Sequence, residues 1–308
     1  DEVLVPAFTF FATAGSVARL GARPVFADIE PRTYNLSPAA VERALGGGRA
    51  LRAAIPVDLF GQIPDIEAIR ARLAEGTPLI EDAAQAILAE YQGRRAGRHG
   101  VISAFSFYPA KNLGGYGDGG MMVTDDEALA DRLRSLRNHG MRGPYQHLAV
   151  GINSRLDTLQ AAVLLVKLRR LEAWTTARQQ AAERYSRLFC ERGLAAPDSL
   201  YPSPQHPVVV PHVERGPGRR HVFHQYTVRV LDRDRLRHAL HGEGIQTAVY
   251  YPVPLHLQEC FRHLGGKPGD CPEAERASRE VLSLPIFAEI TEAQQRRVVE
   301  AIARFFAC

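Results

Sequence analysis

The chain is expected to adopt an α/β fold: a mainly parallel sheet flanked by helices, followed by a smaller C-terminal α+β domain. Three observations lead there. Short apolar runs of strand length alternate with helical patterns through the first half. Near Ser154 the apolar spacing changes to a sustained helical stripe. After a Pro/Gly-rich stretch at 197–220, strand-like and amphipathic helical segments alternate to the end. With 308 residues, 45% of them hydrophobic, the chain can bury a substantial core in one large and one smaller domain.

Taken in order, Val3 to Pro6 and Pro24 to Asp28 read as short buried strands, with a helix from Thr13 to Leu20 between them. Ala53 to Asp58 is a further strand, and Ile66, Ile69 and Leu73 keep helical spacing after Pro64-Asp65. Pro78 to Glu81, Gly100 to Phe107 and Met121 to Thr124 complete the strands of the large domain. From Ser154, the spacing of Leu156, Leu159, Val163, Val166, Leu171 and Trp174 predicts one long helix to about Thr175, able to continue to Phe189. Asn153 or Ser154 can cap it. The predicted domains are therefore 1–175, ending in this bridging helix, and 176–308. In the second, Phe223 to Leu231 and Ile245 to Tyr251 read as strands. Arg235 to Glu243, Glu273 to Leu282 and Glu292 to Phe306 read as helices.

The net charge of +4 is mild for this size and suits a small anionic substrate better than nucleic acid, since no basic helix or aromatic-interleaved basic stripe occurs. No apolar run approaches transmembrane length, and no basic-then-apolar leader opens the chain. Cys190, Cys260, Cys271 and Cys308 lack CxxC spacing, which favours reduced thiols in a cytoplasmic protein over disulfides or a zinc site.

One residue stands out chemically. Only three lysines, Lys111, Lys167 and Lys267, occur beside 35 arginines. Lys111 lies between the apolar run Phe105-Ser106-Phe107-Tyr108-Pro109-Ala110 and the glycine loop Gly114-Gly115-Tyr116-Gly117-Asp118-Gly119-Gly120. An amine can lose its proton and attack a carbonyl, whereas a guanidinium effectively cannot. Lys167, on the amphipathic helix, and Lys267, in a Gly/Pro loop, read as ordinary solvated positions. Asp82 closes the strand that begins at Pro78, so Asp82 and Lys111 both fall at or just beyond strand ends, where ligands of such sheets gather.

These residues belong to a longer pattern. Glu81-Asp82-Ala83-Ala84-Gln85-Ala86, Ser106-Phe107-Tyr108-Pro109-Ala110-Lys111-Asn112-Leu113 and Gly117-Asp118-Gly119-Gly120 resemble the DegT/DnrJ/EryC1/StrS sugar aminotransferases. Arg137-Asn138-His139-Gly140, Gly151-Ile152-Asn153-Ser154-Arg155-Leu156-Asp157, Tyr251-Pro252-Val253-Pro254-Leu255-His256-Leu257-Gln258 and Leu282-Ser283-Leu284-Pro285 follow in the family's order. The resemblance implies a fold-type-I enzyme using pyridoxal 5′-phosphate (PLP), which becomes pyridoxamine 5′-phosphate in the half-reaction.

On that resemblance, Lys111 bonds to the cofactor aldehyde and later relays protons. Asp82 pairs with the pyridine nitrogen; a helix cap is its competing role. Gln85 approaches the ring's 3-oxygen, Phe10 stacks on the ring unless it is a core aromatic, and Ser106 donates to the phosphate. Asn153 reaches the phosphate in the neighbouring subunit, making a homodimer with shared sites, or else caps the long helix. His256 and Tyr116 face substrate, although a loop histidine is more often simply exposed. The family also carries, ahead of this stretch, a segment with a Gly-Thr or Gly-Ser pair that helps hold the phosphate. The chain starts in mid-domain at Asp1 and is expected to lack that segment. Asp58, Ile87 and Tyr250 stand where relatives commonly have histidine, which blurs the identity of the sugar.

The implied reaction moves an amino group, most simply from L-glutamate, to a keto group of a nucleotide-linked deoxysugar. The resemblance of the Tyr251–Gln258 stretch favours the 3-keto over the 4-keto position. A sugar dehydratase is the rival in the same fold, and Lys111 stands where dehydratases place histidine. A non-catalytic truncated relative with a regulatory or assembly role is the other.

Overall fold

The computed structural model describes residues 1–46 and 48–307. In the first half, β1 (Glu2–Pro6) pairs in parallel with β2 (Arg23–Ala27) and β3 (Ala53–Ala54), with α1 (Ala12–Arg19) crossing between β1 and β2. The helix α2 (Pro38–Ala44) follows β2, and α3 (Ile66–Arg70) follows β3. Asp65 caps α3, its carboxylate accepting the N–H of Ala68 at 3.2 Å, a contact typically worth about 1 kcal/mol. Parallel bridges from Ala54 to Leu79 and from Val57 to Asp82 carry the sheet onward to β4 (Ile80–Asp82). A two-residue hairpin, β5 (Glu90–Tyr91) and β6 (Arg94–Arg95), intervenes before β7 (Ile102–Ser106). β7 runs parallel to β4, and β8 (Gly120–Val123) returns antiparallel to β7. The order is thus β2-β1-β3-β4-β7-β8, with all strands but the last parallel. Residues 107–119, containing Lys111 and the glycine loop, connect β7 to β8.

Beyond α4 (Glu127–Arg137), capped by Asp126, the expected single long helix is two. α5 (Thr158–Leu168) and α6 (Leu171–Glu191) are separated at Arg169-Arg170. Asp157, rather than Asn153 or Ser154, occupies the N-cap position of α5. Leu171 packs with Phe107, Leu113 and Leu164, whereas Ala181, Tyr185 and Phe189 sit in the C-terminal core. α6 therefore carries one core into the other, and the boundary expected at 175 falls inside a helix shared by both.

The second half is a three-stranded antiparallel sheet, β11-β10-β9, formed by β9 (Val208–Val209), β10 (Tyr226–Val230) and β11 (Val281–Leu284). α6, α7 (Arg233–Gly242) and α9 (Glu292–Ala307) pack on it through Tyr185, Leu236, Leu240, Val298 and Ile302. Two expectations change here. α8 (Pro272–Glu280) stops before Val281, because the following apolar run pairs with β10. Ile245 to Tyr251 contributes only a bridge, Ala248 to Ser283. Fully buried Arg229 of β10 joins the halves: its guanidinium donates to Tyr34 Oη (3.2 Å), Pro31 O (3.0 Å) and Glu280 Oε2 (3.2 Å). No described helix is long and apolar enough to cross a membrane. Cys190, Cys260 and Cys271 are free, and Cys308 lies outside the described residues.

Candidate active site

The carboxyl ends of β4 and β7 and the loop after β7 bring together the chemistry expected from sequence. Asp82 is the last residue of β4. Its Oδ2 accepts from Thr13 Oγ1 on α1 at 2.8 Å, and its Oδ1 from the N–H of Ala84 at 3.2 Å. No helix starts at Asp82; residues 83–88 form turns, so the carboxylate is not a helix cap. Thr9 and Thr13 hydroxyls lie 3.3 Å apart in the buried end of the same network. Burial pushes the Asp82 carboxyl above the ordinary aspartate range, while Thr13, Ala84 and the nearby Lys111 amine pull it back.

Lys111 is half-buried, and desolvation lowers its proton affinity from that of a free lysine, with Asp82 opposing the shift. The turn carrying it closes through Lys111 N–H to Tyr108 O at 2.8 Å. Gly114 allows that closure, because a Cβ there would lie 2.4 Å from Pro109 O. Lys167 is not an ordinary solvated lysine. Its Nζ donates to Gly114 O at 2.7 Å and sits 4.7 Å from the Tyr116 ring centroid, so α5 fastens the glycine loop. Gln160 of α5 adds a second tie, accepting the Tyr116 N–H at 2.7 Å. The Tyr116 side chain is itself exposed.

Gln85 is buried with one bond at each end of its amide: Oε1 accepts from the N–H of Phe60 at 2.7 Å, and Nε2 donates to Tyr251 Oη at 3.1 Å, leaving its second N–H unused among the described residues. Phe10 is 59% exposed and lies 6.2 Å from the Tyr251 ring, so it is not a core aromatic. Ser106 ends β7, its Oγ accepting the Tyr108 N–H at 3.3 Å. Asn153 is exposed, pairs by a backbone bridge with Asn138 and accepts from Arg155 Nε at 3.1 Å. His256 is buried, not exposed: its Nε2 lies 3.2 Å from Glu275 Oε1 under α8. It lines a small cleft with Arg23, Arg49 and Asp270, and its contacts are not with the Lys111 group.

Three partners escaped the sequence reading. Thr13 orients Asp82, Tyr251 holds Gln85, and His224 Nδ1 lies 3.1 Å from Asn112 Oδ1, directly beside Lys111. Each is remote in sequence from the group it serves, and no local pattern marks it.

The donor set suits PLP. It offers an amine of lowered proton affinity for the aldehyde, a carboxylate at a strand end for the pyridine nitrogen, a hydroxyl for the phosphate and an uncovered aromatic for the ring. Comparison with known proteins agrees. The DegT/DnrJ/EryC1/StrS aminotransferase family matches residues 1–303. The chain belongs to this family. Its members are PLP-dependent aminotransferases of fold type I. The chain is 51% identical over 307 residues to the pleiotropic regulatory protein of Geobacillus stearothermophilus, covering 99% of this chain and 78% of that protein. It is 42% identical to the UDP-N-acetyl-3-dehydro-α-D-glucosamine 3-aminotransferase of Acidithiobacillus ferrooxidans, covering 99% and 77%. The crystal structure of S. venezuelae DesV in complex with a ketimine intermediate superposes with a TM-score of 0.89 at 40% identity, covering 100% of this chain and 79% of that one.

Proposed function

We propose that the chain transfers an amino group from L-glutamate to the 3-keto group of a nucleotide-linked sugar. The observation that carries this reading is Lys111 placed beside Asp82 at the carboxyl ends of β4 and β7, in a chain 42% identical to a UDP-sugar 3-aminotransferase. When bound, PLP supplies an electron sink at the carbon that gains or loses the amine. Asp82 would hold the ring nitrogen protonated, with Thr13 and Ala84 N–H fixing the carboxylate. Ser106 would donate to the phosphate, Phe10 would cover the ring and Gln85 would face its 3-oxygen. Lys111, partly desolvated, would give up its proton more readily than a free lysine, first to anchor the cofactor and then to carry a proton at Nζ to and from the substrate carbon. Tyr116, exposed in the glycine loop, would face the substrate. The retained lysine also separates the reading from a sugar dehydratase and from a purely regulatory role, despite the name of the Geobacillus relative.

The test is mass-spectrometric detection of an aminated product from a UDP- or dTDP-linked 3-ketosugar with PLP and L-glutamate. A mass change of ketone to amine is expected. Turnover with another amino acid alone would displace glutamate, and no product with any donor would reject the aminotransferase reading.

A homodimer belongs to the same reading. Leu148, Val150 and Ile152 before α5, and Leu159, Leu165 and Val166 on it, are 64–100% exposed, a large apolar surface for a folded chain. Asn153 lies within that stretch, as a residue serving the neighbouring subunit's phosphate would. Light scattering after gel filtration should give twice the chain mass, and Val166→Glu should give the monomer with PLP affinity reduced. A monomeric parent chain with full PLP affinity would overturn the shared site. The three free thiols suit a cytoplasmic enzyme.

A further inference from the structure

His224 precedes β10, in the second half of the chain, yet its ring reaches the lysine loop. Its Nδ1 lies 3.1 Å from Asn112 Oδ1, and Asn112 is the residue after Lys111. The other end of the Asn112 amide is already used, Nδ2 donating to Val222 O at 3.3 Å. An amide oxygen can only accept, so the proton between the two side chains must sit on His224 Nδ1. In a neutral ring, Nε2 is then a bare acceptor.

The backbone around His224 is held firmly. Arg178 of α6 points Nη1 at three carbonyls: Phe223 O at 3.1 Å, Ile286 O at 3.2 Å and His224 O at 3.4 Å. Phe223 takes a left-handed conformation with φ 45°, and its N–H donates to His221 Nδ1 at 2.9 Å. The His221 and Phe223 rings stack with centroids 4.0 Å apart. A non-glycine residue persists at such a φ only where its surroundings enforce it. The charged groups facing His224 are Lys111 and Arg178, both cationic; Asp82 faces Lys111 and Glu289 faces Arg178. A protonated His224 would be a third cation in a partly buried cluster.

We propose that His224 is a positioning residue for Lys111, a neutral Nδ1–H imidazole that pins Asn112 and so fixes where the neighbouring amine can reach. Burial and the two cations keep its proton affinity well below the ordinary histidine range, which is consistent with this tautomer. The arrangement makes the lysine position depend on the second half of the molecule: Arg178 of α6, itself bonded to Ile286 O beyond β11, holds the His224 backbone, His224 holds Asn112, and Asn112 adjoins the amine. The role rests on Lys111 being the reactive amine, but the protonation state does not.

The two can be tested separately. In PLP-free protein with ¹⁵N-labelled histidine, the ring signals lost in His224→Gln identify His224. They should show the neutral Nδ1–H form, unchanged from about pH 8 to about pH 5. An Nε2–H form, or a ring titrating near its ordinary value, overturns the proposal whatever the enzyme does. In the loaded enzyme, His224→Leu removes the donor, while His224→Gln can restore an N–H to Asn112. The leucine variant should lose about tenfold to a hundredfold in kcat with KM for the ketosugar unchanged, and the glutamine variant should recover most of it. Equal kcat in all three proteins overturns the positioning role. Absence of product from the parent chain instead rejects the aminotransferase reading and leaves the NMR result to decide the tautomer.

Discussion

Lys111→Ala is expected to lower kcat by at least about 10⁴-fold, since one side chain is asked both to anchor the cofactor and to move the proton. The visible absorption that PLP acquires on binding should vanish with it, because only an amine can bond to the aldehyde. Lys111→Arg sharpens the test. It keeps the positive charge facing Asp82, so an electrostatic or structural role would survive it. A guanidinium does not deprotonate at any working pH, so the arginine variant should be as inactive as the alanine one. The fold should tolerate both, as Lys111 is half-buried and its turn is closed by main-chain atoms, Lys111 N–H to Tyr108 O, with Gly114 allowing the close approach. Turnover is followed by product mass, and PLP retention by the visible spectrum. An arginine variant that keeps a tenth of parental activity would remove Lys111 from the chemistry. A neighbouring lysine cannot easily substitute: Lys167 is already bound to Gly114 O.

Why Lys111 was legible while its helpers were not has a physical basis. A reactive amine in a glycine loop at a strand end is a local arrangement, and local arrangements leave their mark in consecutive residues. The same holds for the parallel strands, whose burial on both faces writes them as short apolar runs. Tertiary partners leave no such mark. Thr13 and Asp82 are 69 positions apart and His224 and Asn112 are 112 apart, and each is an unremarkable polar residue where it stands. The break at Arg169-Arg170 was equally hidden. No Gly or Pro marks it, and Leu164 and Leu171 keep a heptad spacing across it because both face one cluster with Phe107 and Leu113. Val281 and Leu282 went the other way: helical spacing extends α8 to Leu282, into a segment that pairing with β10 makes a strand. His256 misled for a related reason. Its prolines describe a stiff loop correctly, but Glu275, which buries it, comes 19 residues later.

Asp82→Asn should separate activity from stability in opposite directions. The substitution is isosteric, and the amide oxygen can still accept the Ala84 N–H while Thr13 rotates its hydroxyl to accept. What disappears is the charge. In the proposed reaction that charge would keep the pyridine nitrogen protonated, so kcat should fall by about 10²–10³-fold, the usual effect of removing one preorganised electrostatic partner. For folding the sign is reversed. Burial raises the Asp82 pKa above that of the unfolded chain, so at intermediate pH the folded state binds more protons than the unfolded one. The stability of the PLP-free parent protein should then decline as pH rises from about 4 through the raised folded value. An asparagine has no proton to lose and should abolish that contribution, leaving the variant at least as stable as the parent at neutral pH. Lys111 responds as well: without the opposing carboxylate its proton affinity should fall further, so it becomes neutral at lower pH. Thermal melts of both PLP-free proteins across this range, set beside kcat, decide the matter. A variant that is less stable and fully active would make Asp82 a structural turn residue. A variant that is more stable and nearly inactive would mean that the buried carboxylate is kept at a cost to the fold, which only its chemistry explains.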